Sequence, residues 1–299
     1  MMHTDKLIKI LETQTTTHRQ FRLFALIVRE IVKIPGCSYY VDNGNLYVTK
    51  GNSDSYPCIV AHMDTVHAIG FDLKALRVGN LITGFNRITM QQVGIGGDDK
   101  VGVFIALECL LAFDKLKVAF FRDEEIGCAG SYLADVSFFD NCNFVLQCDR
   151  MGNTDFITQA SGVSLSSFEF QSAVKPFIRS FGYSFAKGMM TDVMALKELG
   201  IQCAMANISC GYYHPHTSHE MVDIDDVGNC LLLVTQIIQE IGNHYFAHEA
   251  IQPVRKKKKG NTIKSIIQNC LYCFHPEPEP NGYCEVCNEF LDLAEGEIQ

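Results

Sequence analysis

Cys58-Ile59-Val60-Ala61-His62-Met63-Asp64-Thr65 runs from a short apolar block straight into a histidine and an acid. Such a block, bounded by polar residues, has the length of a buried strand and is too short for a helix. Three further blocks share the form: Lys117-Val118-Ala119-Phe120-Phe121, Phe144-Val145-Leu146-Gln147 and Cys203-Ala204-Met205-Ala206. Helix-length segments alternate with them at Asp99 to Leu111, Asp192 to Leu199 and Asp226 to Ile241, and a helical stretch from about Asp5 to Ile34 precedes the first strand. Gly200 stands where a glycine closes a helix in the left-handed conformation. This alternation predicts an α/β fold, with a mixed, mostly parallel sheet flanked by helices. In such sheets chemistry gathers beyond the carboxyl ends of the strands, where His62 and Asp64 stand.

The whole chain has 299 residues, 47% hydrophobic and 20% charged, which is ordinary globular usage and excludes a disordered or fibrous polymer. No apolar stretch approaches the roughly 18 residues that cross a bilayer. The first ten residues lack the apolar block of a signal peptide, so a cytoplasmic location is expected. A net charge of −9 opposes nucleic-acid binding through the main body, because phosphate contact needs a concentrated basic surface. The 13 cysteines are odd in number, and four of them form two tight pairs near the C-terminus. Reduced thiols and one metal clip fit this distribution better than a disulfide framework.

Arg255-Lys256-Lys257-Lys258-Lys259-Gly260 is a self-repelling run of like charges and reads as a linker. The expected organisation is a body over 1–253, a basic linker over 254–260 and a small unit over 261–299. In that unit Cys270, Cys273, Cys284 and Cys287 form C-x2-C-x10-C-x2-C, the spacing of four thiolates around one structural zinc. Pro276, Pro278, Pro280 and Asn281-Gly282 make the intervening loop rich in turns, and a zinc ribbon is expected. So few residues build no core of their own, so the ribbon should fold only with its metal. Its expected use is contact with a protein partner or self-association. The lysines read as a solvated linker rather than a nucleic-acid contact.

Five segments of the body concentrate metal-ligating side chains. In extended chain His62 and Asp64 point to the same side, and a carboxylate commonly takes the second N–H of a ligating imidazole. Gly94-Ile95-Gly96-Gly97-Asp98-Asp99-Lys100 opens a helix; it lacks the spacing of a phosphate-binding loop, and two adjacent acids would repel phosphate. Asp98 there reads equally as a two-cation bridge or as a helix cap. Phe120-Phe121-Arg122-Asp123-Glu124-Glu125-Ile126-Gly127 crowds three acids at a strand end, a repulsion that a cation relieves. One Glu can then ligate while its neighbour acts as general base on a water. Asp149 follows a buried strand directly, and Tyr212-Tyr213-His214-Pro215-His216-Thr217-Ser218-His219-Glu220 follows the last with three histidines.

The ordered motifs AHMDTVH, GGDDKVG, RDEEIG, the Cys148-Asp149 pair and PHTSHE resemble the site of the cocatalytic zinc exopeptidases, the superfamily of families M20, M28 and M42. The likeness spans roughly residues 55–225 and is nearest to M20 peptidases of the tripeptide aminopeptidase type. The resemblance implies two divalent ions, zinc, with His62 and Asp149 on one, His216 and Glu125 on the other, and Asp98 bridging. It further implies Glu124 as general base and Asp64 as the group orienting His62. Asp192, in Met190-Thr191-Asp192-Val193, resembles a segment that supports the substrate pocket; a helix cap is an equal reading. M20 enzymes insert a lid domain before the last histidine, whereas here only residues 150–215 intervene. A catalytic domain without a lid, closer in architecture to M28, is therefore expected, with Tyr213 or His214 in place of the lid's contact to the oxyanion. Acids around the metals would attract an ammonium, so the expected activity is exopeptidase cleavage of short peptides from the amino end. The competing readings are an amidohydrolase of N-acyl amino acids and a non-catalytic binding protein of the same fold.

Overall fold

The computed structural model describes residues 2–70 and 72–249. The basic linker expected at 254–260 and the ribbon cysteines Cys270, Cys273, Cys284 and Cys287 lie outside the described residues. Helices α1 (Thr4–Glu12) and α2 (Phe21–Ile31) lead into the hairpin of β1 (Cys37–Asp42) and β2 (Asn45–Lys50). After β3 (Tyr56–His62) the chain makes a meander, β4 (Leu73–Val78), β5 (Leu81–Asn86) and β6 (Gln91–Val93). Next come α3 (Gly97–Ala112), β7 (Leu116–Phe121), β8 (Cys142–Arg150), β9 (Asp155–Ala160) and β10 (Val163–Ser164). The chain ends in α4 (Phe168–Ser180), β11 (Ser184–Gly188), α5 (Asp192–Glu198), β12 (Ala204–Ser209), β13 (Tyr212–Tyr213), β14 (Met221–Asp223) and α6 (Ile224–Ile241).

The main sheet has nine strands in the order β1-β2-β7-β3-β8-β12-β9-β10, with β11 also on β9. Its centre is parallel: β3 pairs with β7 and β8, and β8 with β12. The apolar runs bury both faces, as central parallel strands must. Ile59, Val118, Phe120, Phe144, Leu146 and Ala206 pack on the side of α1, α3 and α6. Cys58, Val60, Ala119, Phe121, Val145 and Met205 pack on the side of α5. A period of two thus splits each run between two cores, and it places His62, Gln147 and Asp149 on the α5 side, in line with Val60 and Val145. The second sheet is antiparallel, ordered β13-β14-β5-β4 with β6 on β5.

The fold class expected from the sequence is the one observed, with differences of detail. The expected helix over 5–34 is two helices, broken where the loop between them turns to meet the end of β3. There Thr15 Oγ1 donates to Met63 O at 2.8 Å, Thr65 Oγ1 to Thr15 O at 2.7 Å and Thr17 Oγ1 to Asp64 Oδ2 at 3.1 Å. Thr15 and Thr17 thus spend their hydroxyls on the segment just past β3 instead of continuing a helix, and Thr65 bonds back from that segment. The meander β4 to β6, the hairpin β1–β2, strands β9 to β11 and helix α4 had no counterpart among the expected segments. Residues between Asp149 and His216 go into β9 to β12 of the main sheet, β13 of the second sheet and helices α4 and α5.

Candidate metal centre

His62 ends β3, Asp149 is the next-to-last residue of β8, and Glu124 and Glu125 open a single 3-10 turn just beyond β7. Three adjacent parallel strands, β7, β3 and β8, therefore deliver their acids and imidazole to one edge of the sheet. Asp98 enters from the first turn of α3, and His216 from the loop between β13 and β14. The glycines before Asp98 are needed for this approach. Gly96 has φ +70°, and a Cβ on it would meet Thr65 Cγ2 at 2.8 Å. A Cβ on Gly97 would meet Tyr212 Cβ at 2.8 Å.

The Asp98 carboxylate lies between two imidazoles. Its Oδ1 is 3.1 Å from His62 Nε2 and its Oδ2 is 3.3 Å from His216 Nε2. Asp149 Oδ1 is 3.6 Å from the same nitrogen of His62, and Glu125 Oε2 is 3.1 Å from the same nitrogen of His216. Two half-sites result, sharing Asp98. Glu124 Oε2 stands 3.9 Å from His62 Nε2, and Oε1 accepts a hydrogen bond from the Cys128 thiol at 3.2 Å. Glu124 is the acid of the group that leans on no imidazole at close range, which leaves an oxygen free toward the centre.

A second set of contacts fixes these side chains. Asp64 is fully buried; its Oδ1 accepts the Glu124 amide at 2.9 Å and its Oδ2 the Glu125 amide at 3.2 Å. Asp64 Oδ1 also lies 3.4 Å from His62 Nδ1, whose nearest partner is the Asp64 carbonyl at 3.0 Å. One acid thus orients the imidazole and the turn carrying both glutamates. Asp99 accepts the His62 amide at 3.1 Å and the Gly102 amide at 3.0 Å. Asn207, on β12, brackets the Asp149 backbone: Oδ1 accepts the Asp149 amide at 2.9 Å and Nδ2 donates to its carbonyl at 2.8 Å.

The electrostatics of this cluster call for a cation. Burial pushes Glu124 up to about 8 and Glu125 up to about 7, and it raises Asp149 and Asp99 as well, with the charge of Asp98 adding to both. Burial opposes ionisation of Asp98 too, yet its bonds to His216 and His62 hold it below the usual range. The hydrogen bond to Asp98 lifts His216 to about 9. Protons therefore stand where positive charge is required. Glu125 Oε1 is buried and has no hydrogen-bond partner, an orphaned acceptor facing this need. His62, Asp98 and Glu125 offer atoms within 4.8 Å of one another, as do His62, Asp99 and Asp149. Imidazole plus carboxylate oxygen is a donor set suited to zinc. The residues present fit a metal pair.

The structure brings together His62, Asp64, Asp98, Glu124, Glu125, Asp149 and His216. It sets Tyr213 and His214 apart. Tyr213 donates its hydroxyl to Asp226 on α6 at 2.5 Å, and His214 is exposed outside the cleft. Tyr212 is the tyrosine that reaches the centre, donating to Asp149 Oδ1 at 3.2 Å. Alternation along β13 turns one tyrosine in and the next out. Asp192 is fully buried at the start of α5, bound to Gln147 rather than lining the cleft. Asp99, Cys128, Gln147, Asn207, Tyr212 and Glu220 are contributors that sequence reasoning did not single out. The doubled acid after Gly97 and the acid ending PHTSHE were the available signals for Asp99 and Glu220.

Beside the centre opens a cleft of about 260 Å³, walled on its far side by Met151, Ile157, Met189 and Met190. A family model for peptidase family M28 matches residues 45–233. The chain belongs to peptidase family M28. No curated protein matches the chain. Among solved structures this M28 peptidase is similar in fold to aminopeptidase PepT from Bacillus cereus, with a TM-score of 0.65 at 14% identity over 80% of this chain and 97% of that one. A tripeptidase from Staphylococcus aureus gives a TM-score of 0.64 at 14% identity over 81% and 98% of the two chains. An aminopeptidase from Desulfurococcus kamchatkensis gives 0.62 at 16% over 79% and 95%. At these identities the likeness is one of fold.

Proposed function

We propose that this M28 peptidase is a zinc-dependent aminopeptidase of short peptides, with His62, Asp98 and Asp149 holding one divalent ion and His216, Asp98 and Glu125 a second. The observation that carries the reading is Asp98 set between two imidazoles, each with a further carboxylate at its own nitrogen. Bound there, such ions supply Lewis acidity to a carbonyl and bring a water's pKa toward neutrality. Glu124 supplies the proton path: an oxygen near the centre takes a proton from water and passes it to the departing amine, one residue serving as base and then acid. Asp64 keeps Glu124 and His62 in register through the contacts that fix both. The acid-rich edge favours a substrate that ends in an ammonium group, and so cleavage from the amino end over removal of an acidic N-acyl group. The fold neighbours named as aminopeptidases and a tripeptidase support the same substrate class. In the C-terminal unit the four cysteines would take one further, structural zinc, with protein contact as its proposed use.

The test is turnover by zinc-loaded full-length protein on a panel of dipeptides, tripeptides, their N-acetylated forms and N-acyl amino acids. Free-amine peptides should be cleaved and blocked ones spared, and Glu124→Gln should retain metal while kcat falls at least about 10²-fold. Preference for N-acyl substrates would move the assignment to a deacylase. Ordinary activity in Glu124→Gln would remove the base from Glu124.

A further inference from the structure

We infer that Gln147 and Asp192 are positioning residues that restrict ligand Asp149 to one oxygen and thereby set the affinity of the ion beside His62; this rests on the metal pair proposed above. Gln147 is fully buried on β8, two residues before Asp149 and so on the same face. All four hydrogen-bonding positions of its amide are filled. Oε1 accepts the Thr191 hydroxyl at 2.7 Å and the Val193 amide at 3.1 Å, while Nε2 donates to Asp149 Oδ2 and to Asp192 Oδ2, each at 3.1 Å. The Val193 amide can only donate and the Asp192 carboxylate accepts, so together they dictate which end of the Gln147 amide faces Asp149. The NH₂ group occupies Asp149 Oδ2. What remains toward His62 is Oδ1, which also accepts the Tyr212 hydroxyl.

Asp192 does not act here as an ordinary helix cap. The residue preceding α5 is Thr191, whose side chain makes no cap bond, and Asp192 Oδ2 is spent on Gln147. Its Oδ1 is buried without a hydrogen-bond partner. A fully buried acid with one orphaned oxygen is expensive to keep. Its geometric consequence is the fixed sense of an amide that holds a ligand. Ligating carboxylates held this way typically lose 10- to 100-fold in metal affinity when the supporting group is changed.

Two near-isosteric variants test the inference in the full-length protein. Gln147→Glu replaces the shared NH₂ by an acceptor, and Asp192→Asn removes the acceptor-only partner. Zinc binding is followed by equilibrium dialysis of stripped protein against zinc buffers, with circular dichroism confirming the fold. We expect the ion beside His62 to weaken about 10- to 100-fold while the ion beside His216 and the zinc of the four cysteines stay within about threefold, and zinc-edge anomalous peaks to show the loss beside His62 and not beside His216. Unchanged affinities, or equal weakening of both ions, would overturn the inference while leaving the metal pair standing. Wild type that takes no zinc at either half-site would instead overturn the reading beneath it. Should Gln147→Glu fail to fold, Asp192→Asn decides.

Discussion

Glu220 holds the backbone of Asp98: its Oε1 accepts the Asp98 amide at 3.1 Å, and its Oε2 accepts the Gly96 amide at 2.6 Å. His67 Nε2 lies 2.6 Å from that second oxygen. Glu220 is fully buried and stands four residues after His216, so the loop that brings one imidazole also sets the carboxylate between the two. The glycine-rich turn before α3 has no side-chain cap of its own. Glu220 supplies one from a distant part of the sequence.

Removing that support should loosen the turn. Glu220→Ala is expected to destabilise the metal-free protein by about 2–3 kcal/mol, the cost of two buried amides left unsatisfied, and to weaken zinc binding. Because Glu220→Gln keeps an acceptor for only one of the two amides and turns an NH₂ toward the other, it should recover only part of the loss; urea denaturation of the three proteins measures this, and equal stability of wild type and Glu220→Ala would contradict the role.

Cys128 is buried and its thiol faces Glu124 Oε1 at 3.2 Å, which leaves Oε2 toward the centre. Cys128→Ala should lower kcat about two- to tenfold, the value of one modest hydrogen bond, with KM and zinc content unchanged. Cys128→Ser retains a donor and should retain the rate. Equal losses in both variants would point to packing instead.

Zinc and protons compete for the centre. His216 is lifted to about 9 by its bond to Asp98, and burial holds Glu125 up near 7, so at pH 7 the metal-free site carries protons that a metal must displace. Affinity should therefore rise with pH and level off above about 9. Calorimetry in buffers of differing ionisation heat should show at least one proton released per loading at pH 7 and fewer at pH 9.5. A pH-independent affinity would contradict the site.

Lys100 follows the acid pair and is buried, its Nζ donating to the carbonyls of Leu11 at 2.6 Å and Thr13 at 3.3 Å. Burial brings it down to about 7. The unfolded chain keeps this proton up to its ordinary range and the folded one sheds it near 7. Folding stability from this group thus rises with pH between those limits, and its penalty is fully present below them. Relative to Lys100→Met, wild type should gain about 3 kcal/mol between pH 7 and 9.5, read by urea denaturation at both pH values. A constant difference would mean that the ammonium is retained.

The central strands and their terminal ligands were legible because a parallel strand buried on both faces is a short unbroken apolar run, and the residue that follows must serve the sheet edge. His62, Glu124 with Glu125, and Asp149 stand at such ends. The meander β4 to β6 was not legible, because its strands are exposed on much of their surface and show neither a continuous run nor a clean alternation. Tyr213 or His214 was the expectation and Tyr212 is the residue that reaches Asp149, because a two-residue strand gives no phase by which to tell inward from outward. Gln147 and Asn207 read as ordinary strand residues. Only their partners in the fold, Asp192 on α5 and the Asp149 backbone on β8, reveal what they hold.

The central claim is that Asp98 joins two cation sites. A zinc-edge anomalous difference map from crystals of the full-length protein grown with zinc measures it directly. Two peaks should flank the Asp98 carboxylate, one against His62 and Asp149 and the other against His216 and Glu125. An absence of density on both sides of Asp98, or a single peak that does not touch it, would mean that Asp98 joins no metal pair.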